Sequence, residues 1–250
     1  MSARVIAPED IELLRQFDTP TICNVIELFD MRPRNAGYMD GRIRACFPEL
    51  PPMVGFAVTA TFRSAAPPAA GYSYSGFEEQ LEAIQRLDAP AVVVIQDLDD
   101  PPAAAVFGEV MCTTYKAFGA VGIVTSGAGR DLPQVRALGF PAFCSGAICS
   151  HGYCHFPQCN VPVRVGGVTV HPGDLLHGDA NGVTTIPLEI APAVARACRE
   201  FMEAESMVIE YARSGRVTVE GYRRARAEMQ ARIRALAERL RRERSDRADS

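Results

Sequence analysis

The sequence predicts an α/β fold, on three observations. Short, wholly apolar runs such as residues 91–95 recur, helix-forming stretches with capping signals lie between them, and glycine-rich turns join the two. A chain of 250 residues that is 48% hydrophobic can bury a substantial core, which excludes a disordered or fibrous class. It contains no run of about eighteen apolar residues, and residues 1–10 lack the apolar stretch of a secretory signal. The expected location is the cytosol. The eight cysteines are therefore expected to be reduced, with Cys23, Cys46, Cys112, Cys144 and Cys198 acting as small core residues.

Asp18, Thr19 and Pro20 place a capping side chain ahead of proline in a first helical turn, so a helix of about ten residues should follow. The next stretch is rich in Pro, Gly and Arg and ends in residues 54–62, whose alternation and β-branched content read as a strand. Residues 64–74 form a loop and 77–87 a helix. Residues 91–95 are a buried strand, closed by the acidic turn Asp97, Asp99, Asp100, Pro101.

The same logic then repeats: a helix from about 108 to 118, a strand at 121–125, a glycine loop, a helix at 132–138 closed by Gly139, and a strand at 141–144. Between 161 and 187 the pattern changes to short β segments around tight turns such as Gly166-Gly167. Residues 188–213 are helical, Ser214-Gly215 interrupts, and a basic tail helix follows. One domain over residues 1–215 with a helical extension over 216–250 is the economical organisation.

Net charge is −4, yet the last thirty residues hold ten Arg against five acids, so an acidic body carries a basic tail. The tail arginines alternate with Ala, Glu and Gln, and no tryptophan is present to stack bases, so nucleic acid is not the expected partner. Tyr222, Met229 and Leu236 recur every seven residues beside Ile233 and Leu240. This apolar edge should dock on the body or on a neighbouring subunit.

Chemistry is expected first at residues 125–131, a glycine loop between a buried strand and a helix, the place where open α/β sheets expose ligand-binding residues. Arg130 and Asp131 stand at its mouth, although Asp131 could equally be the N-cap of the helix that follows. A dinucleotide fingerprint is excluded, because its third glycine position holds Leu132 and no acid stands about twenty residues on. Gly108, Glu109, Val110 and Met111 open the preceding helix, where free N–H groups suit a substrate carboxylate.

Glu109 followed by twenty residues and then Arg130-Asp131 resembles the acid-x20-Arg-Asp signature of the RraA-like family, which includes class II 4-hydroxy-4-methyl-2-oxoglutarate/4-carboxy-4-hydroxy-2-oxoadipate aldolases and regulators of ribonuclease E activity. Thr19-Pro20-Thr21, Leu138-Gly139-Phe140-Pro141, Pro172-Gly173-Asp174 and Gly178-Asp179-Ala180-Asn181-Gly182 extend the resemblance over roughly residues 15–215.

The resemblance implies a β/β/α swivelling-domain fold assembled as homotrimers or homohexamers, with sites near subunit boundaries. It implies a divalent-metal-dependent lyase that cleaves a 4-hydroxy-2-oxo (di)carboxylic acid to pyruvate and a second oxo acid, and that also decarboxylates oxaloacetate. Asp131 would ligate Mg²⁺ or Mn²⁺, the backbone from Gly108 to Met111 would hold the substrate carboxylate, Arg130 would meet the keto oxygen, and Glu109 would position a water. Glu205 would lend an acid from a neighbouring subunit. The alternative is a non-catalytic regulator of the ribonuclease E inhibitor type. Two departures bear on substrate identity: Glu109 stands where the aldolases carry Asp, and Ser126 where they carry Asp or Asn.

Cys149, Cys154 and Cys159 with His151 and His155 crowd one loop, which could bind zinc, line the site or be plain surface; the spacing is not that of paired zinc motifs. Asp97, Asp99 and Asp100 are expected as solvated turn carboxylates, Asp174 and Asp179 as turn formers, and Glu203 as part of a solvated face.

Overall fold

The computed structural model describes residues 6–69 and 71–248. The backbone divides into two compact units, a helical one from the residues up to Arg34 and from Leu188 onward, and an α/β one over Asn35–Pro187.

The helical unit begins with α1 (Pro8–Leu14), which the sequence reading did not foresee, and α2 (Thr19–Leu28). Asp18 caps α2 as expected, its side chain accepting the Thr21 N–H at 2.8 Å.

The α/β unit runs through β1 (Arg44–Ala45), β2 (Met53–Phe62), α3 (Phe77–Arg86), β3 (Ala91–Asp97), β4 (Ala105–Phe107), α4 (Glu109–Ala117), β5 (Ala120–Thr125) and β6 (Ala128–Gly129). It continues with α5 (Leu132–Ala137), β7 (Ala142–Cys144), β8 (Gly146–Ala147), β9 (Val163–Val165), β10 (Val168–Val170), β11 (Leu175–Asp179) and β12 (Gly182–Ile186). The helical unit is completed by α6 (Ala191–Arg213) and α7 (Val219–Ala248).

Seven strands form the main sheet in the order β1-β7-β5-β3-β2-β11-β12. The central four, β2, β3, β5 and β7, run parallel, and β1, β11 and β12 extend the edges antiparallel. Parallel neighbours need crossovers, supplied here by α3, α4 and α5. Val93, Ile95 and Ile123 point to one face, against Tyr115 and Cys112 of α4. Val92, Val94 and Val124 point to the other, against Val163, Val165 and Val170 of the β9–β10 hairpin. Burial on both faces is why residues 91–95 read as an unbroken apolar run rather than an alternating one.

A second, three-stranded parallel sheet, β4-β6-β8, was not foreseen. Each of the core strands β3, β5 and β7 is followed by one short strand, and these pair in the same order as the strands they follow.

In the helical unit, α7 lies along α6 and α2 through the apolar edge expected of it: Leu236 is 1% exposed and Leu240 4%, whereas Tyr222 at its start is 44% exposed. The Arg239 guanidinium pairs with Glu200 of α6, and Arg241 Nε donates to the Leu28 carbonyl at 2.7 Å. Among the described residues no helix is long and apolar enough to cross a membrane.

Candidate active site

The pairing of β4 with β6 builds the site. Phe107 stands opposite Gly129, and the Arg130 N–H donates to the Phe107 carbonyl at 2.9 Å. Because the strands are parallel, the chains leaving them advance side by side. Gly108 and Glu109 therefore lie against Arg130 and Asp131, with α4 and β5 as the connection between them. Gly129 permits this approach, since a Cβ there would stand 2.3 Å from the Phe107 ring.

Asp131 does not cap its own helix. It occupies the N-cap position of α5 in a left-handed conformation, φ 53° and ψ 35°, without a side-chain capping bond. Its Oδ2 instead accepts the backbone N–H of Glu109, the first residue of α4, at 3.1 Å, and lies 3.7 Å from Nε of Arg130. One carboxylate oxygen is thus met by a helix N-terminus and a guanidinium. Among the described residues Oδ1 has no protein partner, and the side chain is 37% exposed.

Gly108 forms the floor beneath this pair. A Cβ on it would meet Asp131 Oδ2 at 2.5 Å and Arg130 Nε at 3.0 Å, although its extended backbone, φ −155°, is open to any residue. The Val110 and Met111 N–H groups precede the first intrahelical bond of α4, from Cys112 N to the Gly108 carbonyl at 3.0 Å, and remain available for an anion.

Beside the pair opens a cavity of about 310 Å³. Of the expected residues, Gly108, Val110, Met111 and Arg130 line it. So do His151 and Cys154 of the crowded loop, where lining the site was one of the expectations, Tyr74 at the end of the 64–74 loop, and Phe77, which the sequence did not single out. The Tyr74 N–H donates to the Cys154 carbonyl at 2.7 Å, joining the two loops, and the Tyr74 and His151 rings lie 5.7 Å apart. Phe77 packs edge-on against Tyr115 at 5.1 Å, and the buried Tyr115 hydroxyl donates to Gln80 Oε1 at 2.7 Å, so this wall is fixed from behind. Burial and then Cys154 push the Tyr74 phenol above its ordinary value, with Arg130 pulling against them. Burial likewise pushes the Cys154 thiol up to about 12.

The Glu109 side chain is exposed and does not line the cavity; its backbone N–H is what meets Asp131. Glu205 lies on α6 in the helical unit, where burial first and Asp18 second raise its carboxyl above the ordinary value. Asp174 Oδ2 and Asp179 Oδ1 accept the N–H groups of His171 and Asn181, turn bonds of the kind expected. Asp99 Oδ2 accepts the Ser64 and Ala65 N–H groups. Asp97 is not a solvated turn carboxylate: it is buried, its Oδ2 has no hydrogen bond, and burial pushes its carboxyl up to about 6.

The crowded loop does not converge on a point. Cys149 is exposed, Cys159 Sγ donates to the Gly76 carbonyl, and Nδ1 of His151 and of His155 donate to the carbonyls of Gly152 and Tyr153. Among the described residues no three His, Cys, Asp or Glu side chains are gathered to hold a metal ion. Asp131 is not among the residues lining the cavity, but beside Arg130, which is, it offers a different kind of site: one oriented, partly exposed carboxylate, suited to a hard cation that keeps water and takes substrate oxygens.

The fold and site define a mixed α/β protein with an Arg-Asp pair set by a parallel strand pair beside a small cavity. A model of the RraA-like family, described as Aldolase/RraA, matches residues 19–185, and the chain belongs to this family. It is 39% identical over 100 residues to a putative 4-hydroxy-4-methyl-2-oxoglutarate aldolase of Halalkalibacterium halodurans, a match covering 40% of this chain and 48% of that protein. The chain thus spans about half the length of that relative. The crystal structure of Streptomyces coelicolor RraAS2, described as an unusual member of the RNase ES inhibitor RraA protein family, is similar at TM-score 0.62 and 26% identity, over 80% of this chain and 96% of that one. An uncharacterized protein of Pseudomonas syringae shares the fold at TM-score 0.69 and 23% identity, over 89% and 94% of the two chains.

Proposed function

We propose that the chain is a divalent-metal-dependent lyase that cleaves a 4-hydroxy-2-oxo acid between C3 and C4, releasing pyruvate and a second carbonyl compound, and that it also decarboxylates oxaloacetate. The observation that carries the proposal is the Arg130 guanidinium and Asp131 carboxylate held together over Gly108 at a cavity of about 310 Å³. The similarity to a putative aldolase supports it.

Asp131 Oδ1 would hold Mg²⁺ or Mn²⁺, with water completing most of the shell. When bound, the cation would supply Lewis acidity to the 2-oxo acid. The Val110 and Met111 N–H groups receive the substrate carboxylate, and Arg130 stands at the keto oxygen. As the C3–C4 bond breaks, its electron pair enters the enolate of pyruvate, the C4 hydroxyl gives up its proton, and C3 later gains one. Charge grows on the former keto oxygen, where the Arg130 guanidinium would meet it with a positive charge already in place. Glu109, whose side chain is exposed outside the cavity lining, would position the water that carries the proton. A homotrimer or homohexamer is proposed as the assembly, to be read from light scattering.

The test is oxaloacetate decarboxylation with Mg²⁺ or Mn²⁺ and with excess chelator, beside Arg130→Ala and Asp131→Ala. The expected result is a metal-dependent rate that falls about a hundredfold or more in either variant. Equal rates in all samples would overturn the lyase and favour the second reading, a non-catalytic oligomeric regulator, which the likeness to RraAS2 supports.

A further inference from the structure

One edge of the main sheet holds two thiols in contact, on residues that the proposed chemistry does not use. We propose that Cys46 and Cys144 are a redox modification site: a peroxide converts them to a reversible disulfide, which loosens the pairing of β8 with β6, the strand that leads into Arg130 and Asp131.

β1 pairs antiparallel with β7, Arg44 opposite Cys144 and Ala45 opposite Phe143, and the Cys46 N–H donates to the Ala142 carbonyl at 2.8 Å. Cys46 therefore stands diagonal to Cys144 on one face of the ladder. The two sulfurs lie 3.3 Å apart. Cys144 Sγ donates to the Gly146 carbonyl at 3.1 Å, so the hydrogen between the sulfurs is the one on Cys46. That bond holds the Cys144 thiol below its ordinary value, against the opposing effect of burial, and raises Cys46, which gives up its proton second. Burial pushes the Cys112, Cys154, Cys159 and Cys198 thiols upward. The thiolate is the form that attacks a peroxide, so the pair is favoured over these four.

Cys46 is half-buried and Cys144 is 4% exposed, but β1 is an edge strand and Ser145, Gly146 and Ala147 are exposed. Both cysteines belong to one chain and to the α/β unit, so the pair is complete without a neighbouring subunit.

The oxidation balances with hydrogen peroxide as the co-reactant. One thiolate attacks the O–O bond, becomes a sulfenic acid and releases hydroxide, which takes up the proton lost in forming the thiolate. The second thiol, already in contact, attacks that sulfur; the S–S bond forms and the sulfenic oxygen leaves as water. The sulfurs lose two electrons and the peroxide becomes two waters. A thiol reductant reverses the step.

Oxidation removes the hydrogen that Cys144 donates to the Gly146 carbonyl and draws Cys144 toward Cys46. Gly146 and Ala147 form β8, opposite Ala128 and Gly129 of β6. The Ser145 N–H donates to the Gly127 carbonyl at 2.9 Å, and the Ile148 N–H to the Gly129 carbonyl at 3.1 Å, next to Arg130. A ladder this short has few other bonds to hold it when Cys144 moves.

The experiment treats the full chain with hydrogen peroxide and maps its peptides without reductant, with fragmentation that separates Cys144 from Cys149. The expected product is a Cys46–Cys144 cross-link that dithiothreitol reverses. No cross-link, or one that joins either residue to another cysteine, overturns the proposal. Cys149→Ser, at an exposed position, should leave the cross-link in place, and its loss there would overturn the assignment. Hydrogen exchange read by mass spectrometry tests the effect on β6. The Ser145 and Ile148 amides should exchange about fivefold or more faster in the disulfide than in the dithiol. Unchanged rates overturn the loosening. Peroxide-treated Cys46→Ser should keep the rates of the dithiol; faster exchange in that variant would trace the effect to oxidation elsewhere and overturn it as well. Neither readout uses activity, so the outcome is independent of the lyase reading.

Discussion

Asp131 Oδ2 accepts a hydrogen bond from the backbone nitrogen of Glu109, a residue twenty-two positions earlier in the chain, at 3.1 Å. The bond ties the loop after β6 to the first turn of α4 through one of the two carboxylate oxygens.

Asp131→Asn should keep that bond, because an amide oxygen also accepts and Asn tolerates the left-handed backbone. Circular dichroism and melting temperature should stay close to the parent, while Mn²⁺ affinity and oxaloacetate decarboxylation fall about a hundredfold. Asp131→Ala should lose both, with a further ~1–3 kcal/mol of stability from the unpartnered N–H and from Ala at φ 53°. Calorimetry beside Mn²⁺ titration separates the two; equal melting of the two variants would count against the Glu109 bond as a structural tie.

Gly108→Ala adds a methyl where Asp131 Oδ2 would be 2.5 Å away. The backbone at Gly108 can accept alanine, so the effect is displacement of the Arg-Asp pair rather than misfolding. Activity should drop at least tenfold for a stability cost of about 1–3 kcal/mol. Unchanged kcat/KM would mean that the geometry of the pair is not what catalysis uses.

Asp97 ties stability to pH. Its carboxyl ionises at an ordinary 3.8 in an unfolded chain and at about 6 in the folded one, raised first by burial while the Asp99 N–H partly offsets the rise. Between those values the folded state keeps a proton that the unfolded state has lost. Stability should therefore fall as pH rises from about 4 to about 6, and the loss persists above that. Asp97→Asn cannot ionise, so relative to the parent it should gain on the order of 1–2 kcal/mol at pH 8 and lose that gain near pH 4. Urea denaturation at pH 4, 6 and 8 checks this; a difference independent of pH would refute it.

Leu236→Ala removes a side chain that is 1% exposed between α7 and its neighbours and should destabilise the helical unit by about 2–4 kcal/mol. Tyr222→Ala, on the same stripe but 44% exposed, should cost under about 1 kcal/mol. Thermal melts followed at 222 nm would show whether the stripe works as a packing edge only along its later turns.

How much was legible in the sequence follows from what each element depends on. Strands β3 and β5 were visible because burial on both faces demands unbroken apolar runs, and α2 was visible because Asp18 and Pro20 act locally. The separation of Glu109 from Arg130-Asp131 was legible as a pattern, but its cause was not. Strands of two or three residues such as β4, β6 and β8 have no periodicity to detect and exist only through pairing. Tyr74, His151 and Cys154 reach the cavity from loops joined by backbone bonds such as those from Tyr74 N to the Cys154 carbonyl and from Tyr153 N to the Ser64 carbonyl, for which no spacing rule exists. Asp97 looked like a solvated turn acid because what packs close against it includes Gly127, where a Cβ would stand 2.6 Å from Asp97 Oδ2, outside its own strand. Whether Asp131 capped its own helix could not be decided without the backbone angle, since the same Asp-Leu-Pro string serves either role.

The pairing of Phe107 with Gly129 makes α4 and β5 a spacer of fixed length. A single residue inserted between Gly108 and Arg130 would leave every reactive group chemically intact, yet it would put the two halves of the site out of phase, much as a slipped tooth disengages a gear. Exposed positions of α4 such as Val110 and Lys116 can accept new side chains without that effect. For redesign or for drift among relatives, the connector tolerates spelling changes and forbids changes in word length.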